Sequence, residues 1–324
     1  MSIFEVRENV IPYEYPELME YVKAIHASFW QVEKFPYERD IKDFKVNLSA
    51  DEQVILMRSM LAIATVENKV KSFWADIYKR MPKLEIASVG YTFAGNETVH
   101  QLCYQRLLEV LNLDEEFETI TQIPCMEGRI KYLNKYLEGV RSRSNKEFTK
   151  SLILFTLLVE NCSLFSQFLI VASFYKYKDL LKNFSDIISA TVADERLHAK
   201  FGSHLIKIIR KENPDWFDEE MENKIRRNIR KAYKAEIEVL DWIFEHSELD
   251  FISKNEVIEF LKTRFNDSLI NIDYSEEFEV NEELLKKSNF LILKSKTTSD
   301  IDFFNGISSD YNKDRSFEED ALWD

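Results

Sequence analysis

The sequence predicts an all-α protein, and three observations carry that prediction. Only six Gly and six Pro interrupt 324 residues, so long helices face few breakers. Apolar residues recur at helical spacing over long stretches, with Met60, Ile63, Val70 and Trp74 in one and Ile153, Leu157, Leu164 and Phe168 in another. Two Glu-x-x-His pairs, Glu97/His100 in ETVH and Glu195/His198 in ERLH, each lie in such a stretch. Residues three apart share a face on a helix, so each pair can present one oxygen and one nitrogen together.

The elements follow in order. Pro12 and Pro16 make residues 1–16 an irregular arm, and a helix then runs over about 17–32 until Pro36 stops the pattern. Residues 37–48 read as a polar connector. Ser49, with Glu52 three places on, forms a capping-box signature for a long helix to about Arg80, carrying Glu67 on its apolar face. Pro82 separates it from a second helix, about 86–112, with Glu97, His100 and Tyr104. A third, about 147–176, holds Glu160 in the middle of a buried stripe. The next, about 179–211, contains Asp194, Glu195 and His198, and Arg210 and Lys211 suit its C-terminal end. Helices over about 215–247 and 254–270 complete the set, the former charged enough for an outer, solvated position. Residues 1–290 thus form one helical domain, and residues 291–324, polar and acidic with isolated aromatics and no period, read as a flexible tail.

Composition narrows the function. Lys plus Arg total 43 against 57 Asp plus Glu, and a net charge of −14 argues against nucleic acid or an anionic membrane as partner. Cys103, Cys125 and Cys162 form no C-x-x-C pair, so neither a disulfide framework nor a zinc ribbon is expected, and reduced thiols point to the cytoplasm. The N-terminal MSIFEVRENV lacks a basic segment followed by an apolar run, and no uncharged apolar stretch is long enough to span a membrane.

The two Glu-x-x-His pairs are completed by lone glutamates upstream, Glu67 before the first and Glu160 before the second. A carboxylate on an apolar face is costly to bury without a partner, and metal coordination supplies one. The order Glu, Glu-x-x-His, Glu, Glu-x-x-His matches the known ligand inventory of ferritin-like di-iron and di-manganese carboxylate bundles. Carboxylate oxygens with one imidazole per metal suit Mn or Fe better than Cu or structural Zn. Glu67, Glu97, His100, Glu160, Glu195 and His198 are therefore the candidate ligands of two metal ions. His26, His204 and His246 read as structural or surface residues.

Over nearly its whole length the chain resembles the radical-generating small (beta) subunit of class I ribonucleotide reductase. Tyr104 lies one turn after His100, where that family places its radical tyrosine. Asp194 precedes Glu195 as in the family's D-E-x-x-H motif, where the aspartate bonds a metal-bound histidine, here His100. Trp30, in SFW on the first helix, resembles the tryptophan that links the metal site to the surface through that aspartate. The end of the chain, Phe317 to Trp323 (FEEDALW), resembles the family's acidic docking peptide, with Tyr311 as the tail tyrosine that relays the radical. The resemblance implies a ferritin-like bundle, a homodimer, docking to the catalytic alpha subunit through the tail, and conversion of ribonucleotides to deoxyribonucleotides on that partner. The absence of a Gly-rich phosphate loop agrees with substrate reduction taking place elsewhere.

Two departures bear on the cofactor. Glu67 stands where well-known members have Asp, and Leu164 stands where an aromatic is common. Glu at the first position resembles subgroups whose oxidised Mn/Fe or Mn/Mn pair itself stores the oxidising equivalent. The expectation is Mn/Mn, with Fe/Fe and Mn/Fe as alternatives, and a flavoprotein activase as a further partner. A dimetal oxidase or desaturase acting on its own bound substrate is the rival in the same fold, and metal storage in a ferritin-like shell the rival from another class.

Overall fold

In the computed structural model the described residues are 2–137, 142 and 144–291, with backbone alone at 67–69, 136 and 137. The predicted tail, including Tyr311, Phe317, Leu322 and Trp323, lies outside them. No strand occurs among the described residues, and the all-α prediction holds.

The centre of the bundle is built from α3 (Ala50–Asp76), α4 (Leu84–Leu111), α8 (Phe165–Lys178) and α9 (Lys182–Glu212). Helix α3 lies along both α4 and α8, and α9 packs on α8 and α4. Around this core α1 (Met19–Ser28) crosses α4 and α9, while α6 (Pro124–Leu137) and α10 (Glu219–Ile243) cover α3. Helix α11 (Lys254–Ile270) packs on α8. Shorter pieces are α2 (Glu38–Lys42), α5 (Asp114–Thr119), α7 (Asn145–Leu154) and α12 (Glu282–Leu285).

The ends of the central helices are set locally. Ser49 Oγ accepts from the Glu52 amide at 3.2 Å and Glu52 Oε2 accepts from the Ser49 amide at 2.9 Å, the reciprocal box that the sequence suggested. Helix α9 has no such cap of its own, since it follows Leu181 in the left-handed region (φ 61°). Asp40 and Asp43 serve instead: Asp40 Oδ2 accepts from the Phe184 amide at 2.7 Å and Asp43 Oδ2 from the Leu181 amide at 3.1 Å. The expected polar connector is thus helical, α2 followed by a π turn over Asp43–Asn47, because its aspartates cap α9. Gly90 lets α4 approach α3 closely; a Cβ there would stand 2.5 Å from the Trp74 carbonyl oxygen.

The expected continuous helix over 147–176 is interrupted. After α7 come a π-helical segment, Phe155–Val159, and a turn over 160–164 before α8 begins. Hydrogen bonds there skip to i−5, with the Ser163 amide reaching the Leu158 carbonyl at 2.9 Å. Polar side chains also bond the loosened carbonyls: Asn161 Nδ2 donates to Thr156 O at 2.8 Å and Ser163 Oγ to Leu158 O at 2.7 Å. Periodicity alone cannot reveal such an insertion, since apolar residues continue on both sides of it.

Residues 2–15 are irregular as expected, yet tied down, and Pro16 opens a 3-10 turn, Pro16–Leu18. Buried Glu85 accepts from Arg7 Nη2 at 2.7 Å and from the amides of Glu14 and Tyr15, each at 3.0 Å. Residues 113–137, for which the sequence offered no element, form α5 and α6.

Candidate metal centre

Four of the candidate ligands converge between the central helices. Single ligand atoms of Glu97, Glu160, Glu195 and His198 lie within 4.8 Å of one another, and all four residues are buried. Glu97 and His100 come from α4, Glu195 and His198 from α9, and Glu160 from the turn that follows the π segment.

The two central glutamates each face both histidines. Glu97 Oε1 is 2.9 Å from His198 Nδ1, and its Oε2 is 3.4 Å from His100 Nδ1. Glu195 Oε1 is 3.1 Å from His100 Nδ1, and its Oε2 is 3.5 Å from His198 Nδ1. The arrangement has two poles, one at each histidine, with Glu97 and Glu195 placed to be shared. Glu160 Oε2 joins the His198 pole at 3.5 Å. Helix α3 brings Glu67 into the same bundle, but its side chain lies outside the described residues.

The electrostatics favour cations. Both Glu97 oxygens, Glu160 Oε2, Glu195 Oε1 and His198 Nδ1 are buried and make no hydrogen bond of good geometry. Such groups are expensive to leave unmatched, and a metal ion is the kind of partner that matches all of them. Burial, with Glu195 and Glu97 nearby, holds the Glu160 carboxyl well above the ordinary carboxylate range. Burial would also raise Glu195, but His100 and His198 outweigh it and hold Glu195 low. Burial opposes charge on His198, yet Glu97, Glu160 and Glu195 push its proton affinity well above the usual value.

The outer partners orient this cage. Asp194 Oδ2 accepts from His100 Nε2 at 3.0 Å, from Trp30 Nε1 at 2.8 Å and from Asn96 Nδ2 at 3.1 Å. The Trp30 ring stacks on His100 with centroids 5.8 Å apart. The Trp30–Asp194–His100 line expected from the sequence is thus connected in the structure, although Trp30 stands two residues past the end of α1 rather than on it. Phe29 turns extended there (ψ 134°), which swings the indole inward. Tyr104 is buried, donates to Thr191 Oγ1 at 3.2 Å and stacks on Phe168. Its ring also lines a cavity of about 270 Å³ with Gln101, Gln105, Leu108 and Phe117. Leu164 is buried in the turn before α8.

Sequence reasoning missed two partners. Trp74, read only as part of an apolar stripe, donates from Nε1 to Glu160 Oε1 at 2.9 Å and so aims the carboxylate that the broken helix releases. Asn96 accepts from His198 Nε2 at 3.2 Å. The signal for Asn96 was present: it precedes Glu97 as Asp194 precedes Glu195, in NETVH and DERLH.

A helical bundle in which two central helices and the turn before a third aim carboxylates and histidines at one buried point has the architecture of the dimetal carboxylate proteins. Comparison with known proteins sharpens this. The sequence matches the family "Ribonucleotide reductase, small chain" over residues 7–284, and the chain belongs to that family. It is 24% identical over 242 residues to the ribonucleoside-diphosphate reductase subunit beta of Chlamydia pneumoniae, covering 71% of this chain and 70% of that protein. Its fold resembles the ribonucleotide reductase R2 subunit from Clostridium botulinum, with a TM-score of 0.78 at 18% identity, covering 87% of this chain and 89% of that one. An R2-like ligand-binding oxidase with a Mn/Fe cofactor is also similar, with a TM-score of 0.70 at 17% identity over 82% of this chain and 96% of that one.

Proposed function

We propose that this chain, an oxidoreductase of the ribonucleotide reductase small-subunit type, stores a one-electron oxidant at two metal ions and passes it to a catalytic alpha subunit. The observation that carries the reading is the hydrogen-bonded line Trp30–Asp194–His100, which ends in the two-pole carboxylate cage. A redox centre that acts on a partner needs such a line.

Glu67, Glu97, His100, Glu160, Glu195 and His198 would hold the metals in this reading. When bound, two Mn or Fe ions supply an oxidising equivalent that no side chain of the cage supplies alone. The protein's part is preparation. Asp194 takes the Nε2 proton side of His100 and leaves Nδ1 facing the cage, while the buried walls exclude water. The same carboxylate accepts the Trp30 N–H, so electron movement along the line has a fixed proton partner at Asp194 Oδ2. We assign a manganese-containing pair from Glu67, with Tyr104 close by but not obligatory as the stable radical, and a flavoprotein activase as the source of the oxidant. Tyr104→Phe should then keep substantial reductase activity with the alpha subunit, and complete loss with metals still bound would return the radical to Tyr104.

Docking is assigned to residues 312–324, with Phe317, Leu322 and Trp323 as anchors and Tyr311 as the relay. Deleting 312–324 should abolish turnover and weaken association while leaving the metal spectrum intact. A homodimer is assigned to the exposed face of α4, where Tyr91 and Leu102 are 58% and 50% exposed in line with Gly95 and Thr98. Leu102→Glu should shift the sedimentation of the purified chain towards the monomer.

The decisive test of the metal reading is Glu160→Ala, which should lose at least one of two metals per chain by elemental analysis. Unchanged metal content defeats the assignment. The rival oxidase reading needs a substrate cavity opening at the cage, and among the described side chains the walls of the Tyr104 cavity include none of Glu97, His100, Glu160, Glu195 and His198. Turnover of a substrate by the chain alone would favour that rival.

A further inference from the structure

We infer that Asn96 and Asp194 make the two metal positions unequal: Asn96 sets the position bound through His198 as the weaker one, and Asp194 sets the position bound through His100 as the tighter. The inference rests on the dimetal reading above and concerns a difference within it.

Asn96 and Asp194 hold corresponding places, each just before the glutamate of a Glu-x-x-His pair. The hydrogen bonds cross over. Asp194 on α9 holds His100 of α4 at 3.0 Å, and Asn96 on α4 holds His198 of α9 at 3.2 Å. Each motif therefore orients the other motif's imidazole. Both bonds fix the same tautomer, with the proton on Nε2 and the Nδ1 lone pair facing the cage. Both partners are buried, Asn96 at 2% and Asp194 at 1% exposure, so neither bond competes with bulk water.

The partners differ in charge. A carboxylate that accepts an imidazole N–H makes the opposite nitrogen a stronger donor, whereas a neutral amide oxygen does so less. Asn96 is also turned to serve Asp194, donating from Nδ2 to Oδ2 at 3.1 Å. Its carbonyl is therefore committed to His198 by the geometry of a planar amide, and the chain His100, Asp194, Asn96, His198 is continuous. Two imidazoles in one cage thus differ in donor strength because one is backed by an anion and the other by an amide.

The test is a titration of the full-length metal-free chain with Mn(II) under exclusion of oxygen, with free Mn(II) read from its six-line electron paramagnetic resonance signal. The wild type should bind two ions in distinguishable steps. Asn96→Leu should weaken the weaker step by about 10- to 100-fold, the range for loss of an outer partner, and leave the tighter step within about threefold. Asp194→Asn, which keeps an acceptor oxygen but removes the charge, should weaken the tighter step and bring the two steps together. Asn96→Asp serves as rescue: two carboxyls so close share a proton, and a protonated Asp at 96 still donates to Asp194 and accepts from His198. Its two steps should stay near wild type, and that near-isosteric variant covers the case in which Asn96→Leu does not fold. Equal weakening of both steps in Asn96→Leu, no weakening of either, or a weaker step in Asn96→Asp as poor as a lost bond would each overturn the inference. Two indistinguishable steps in the wild type overturn it as well while sparing the dimetal reading. Fewer than two ions in the wild type removes both.

Discussion

Two buried polar clusters lie in this one bundle, and their difference separates structure from function. The first joins α6, α10, α3 and α8 around Arg129. Its Nε donates to Glu236 Oε1 at 3.0 Å, Nη1 to Ala62 O at 2.9 Å and Nη2 to Gln167 Oε1 at 3.1 Å, while Tyr132 donates to Glu236 and meets Ser163 Oγ at 2.8 Å. One cation faces one anion, and few polar atoms remain unmatched, Glu236 Oε2 and Gln167 Nε2 among them. The second cluster is the candidate metal centre, where Glu97, Glu160 and Glu195 face two histidines and keep polar atoms aimed inward. A cluster that closes on itself holds helices together. A cluster with surplus negative charge and unmatched ligand atoms is suited to hold a cation.

That contrast can be broken by mutation. Arg129→Met leaves Glu236 buried without its cation and should cost about 3–5 kcal/mol of stability, with or without metal. Denaturant midpoints measured on both forms decide this, and a loss seen only in the metal-bound form would place Arg129 with the site. A smaller effect is expected where α9 presses on the π segment beside the candidate metal centre. A Cβ at Gly202 would fall 2.3 Å from Thr156 Oγ1 and 2.7 Å from its Cγ2. Gly202→Ala should therefore cost about 1–3 kcal/mol by overpacking. Because Thr156 belongs to the π segment before Glu160, metal affinity should fall as well, and calorimetric titration would detect that coupling.

Ser49→Ala touches neither cluster and calibrates both, losing about 1 kcal/mol of helix capping with metal uptake unchanged. The smallest effect belongs to the site itself. Glu160→Gln removes one of three crowded carboxylates, so the metal-free chain should unfold at the same denaturant concentration as the wild type or a higher one. A clear loss of stability in that metal-free variant would make Glu160 a structural residue and erase the distinction.

Much of this arrangement was legible beforehand. The breaker-poor composition and the Ser49/Glu52 box foretold the long helices, and the repeated Glu-x-x-His pairs foretold which faces of α4 and α9 meet. Asp194 and Trp30 were legible through the resemblance, and the structure joins them by hydrogen bonds. Other features had no local signature. Capping of α9 by Asp40 and Asp43 is a contact across more than a hundred residues, which no local pattern encodes. Trp74 read as core because an indole is apolar over most of its surface, and only its N–H makes it a partner of Glu160. Residues 113–137 stayed unread because the buried face of α6, with Met126 and Leu133, is interrupted by the charged and buried Arg129.

The π segment at Phe155–Val159 can also be seen as one residue too many. An α-helix advances about 100° per residue, so a single extra residue absorbed locally turns everything beyond it by that angle relative to everything before. Here the surplus residue lets Glu160 face the cage while α7 and α8 both keep apolar faces towards the core. Deleting one residue between 155 and 159 should turn Glu160 by about 100° around the helix axis and carry it away from the cage. In this stretch, chain length itself positions the candidate ligand Glu160.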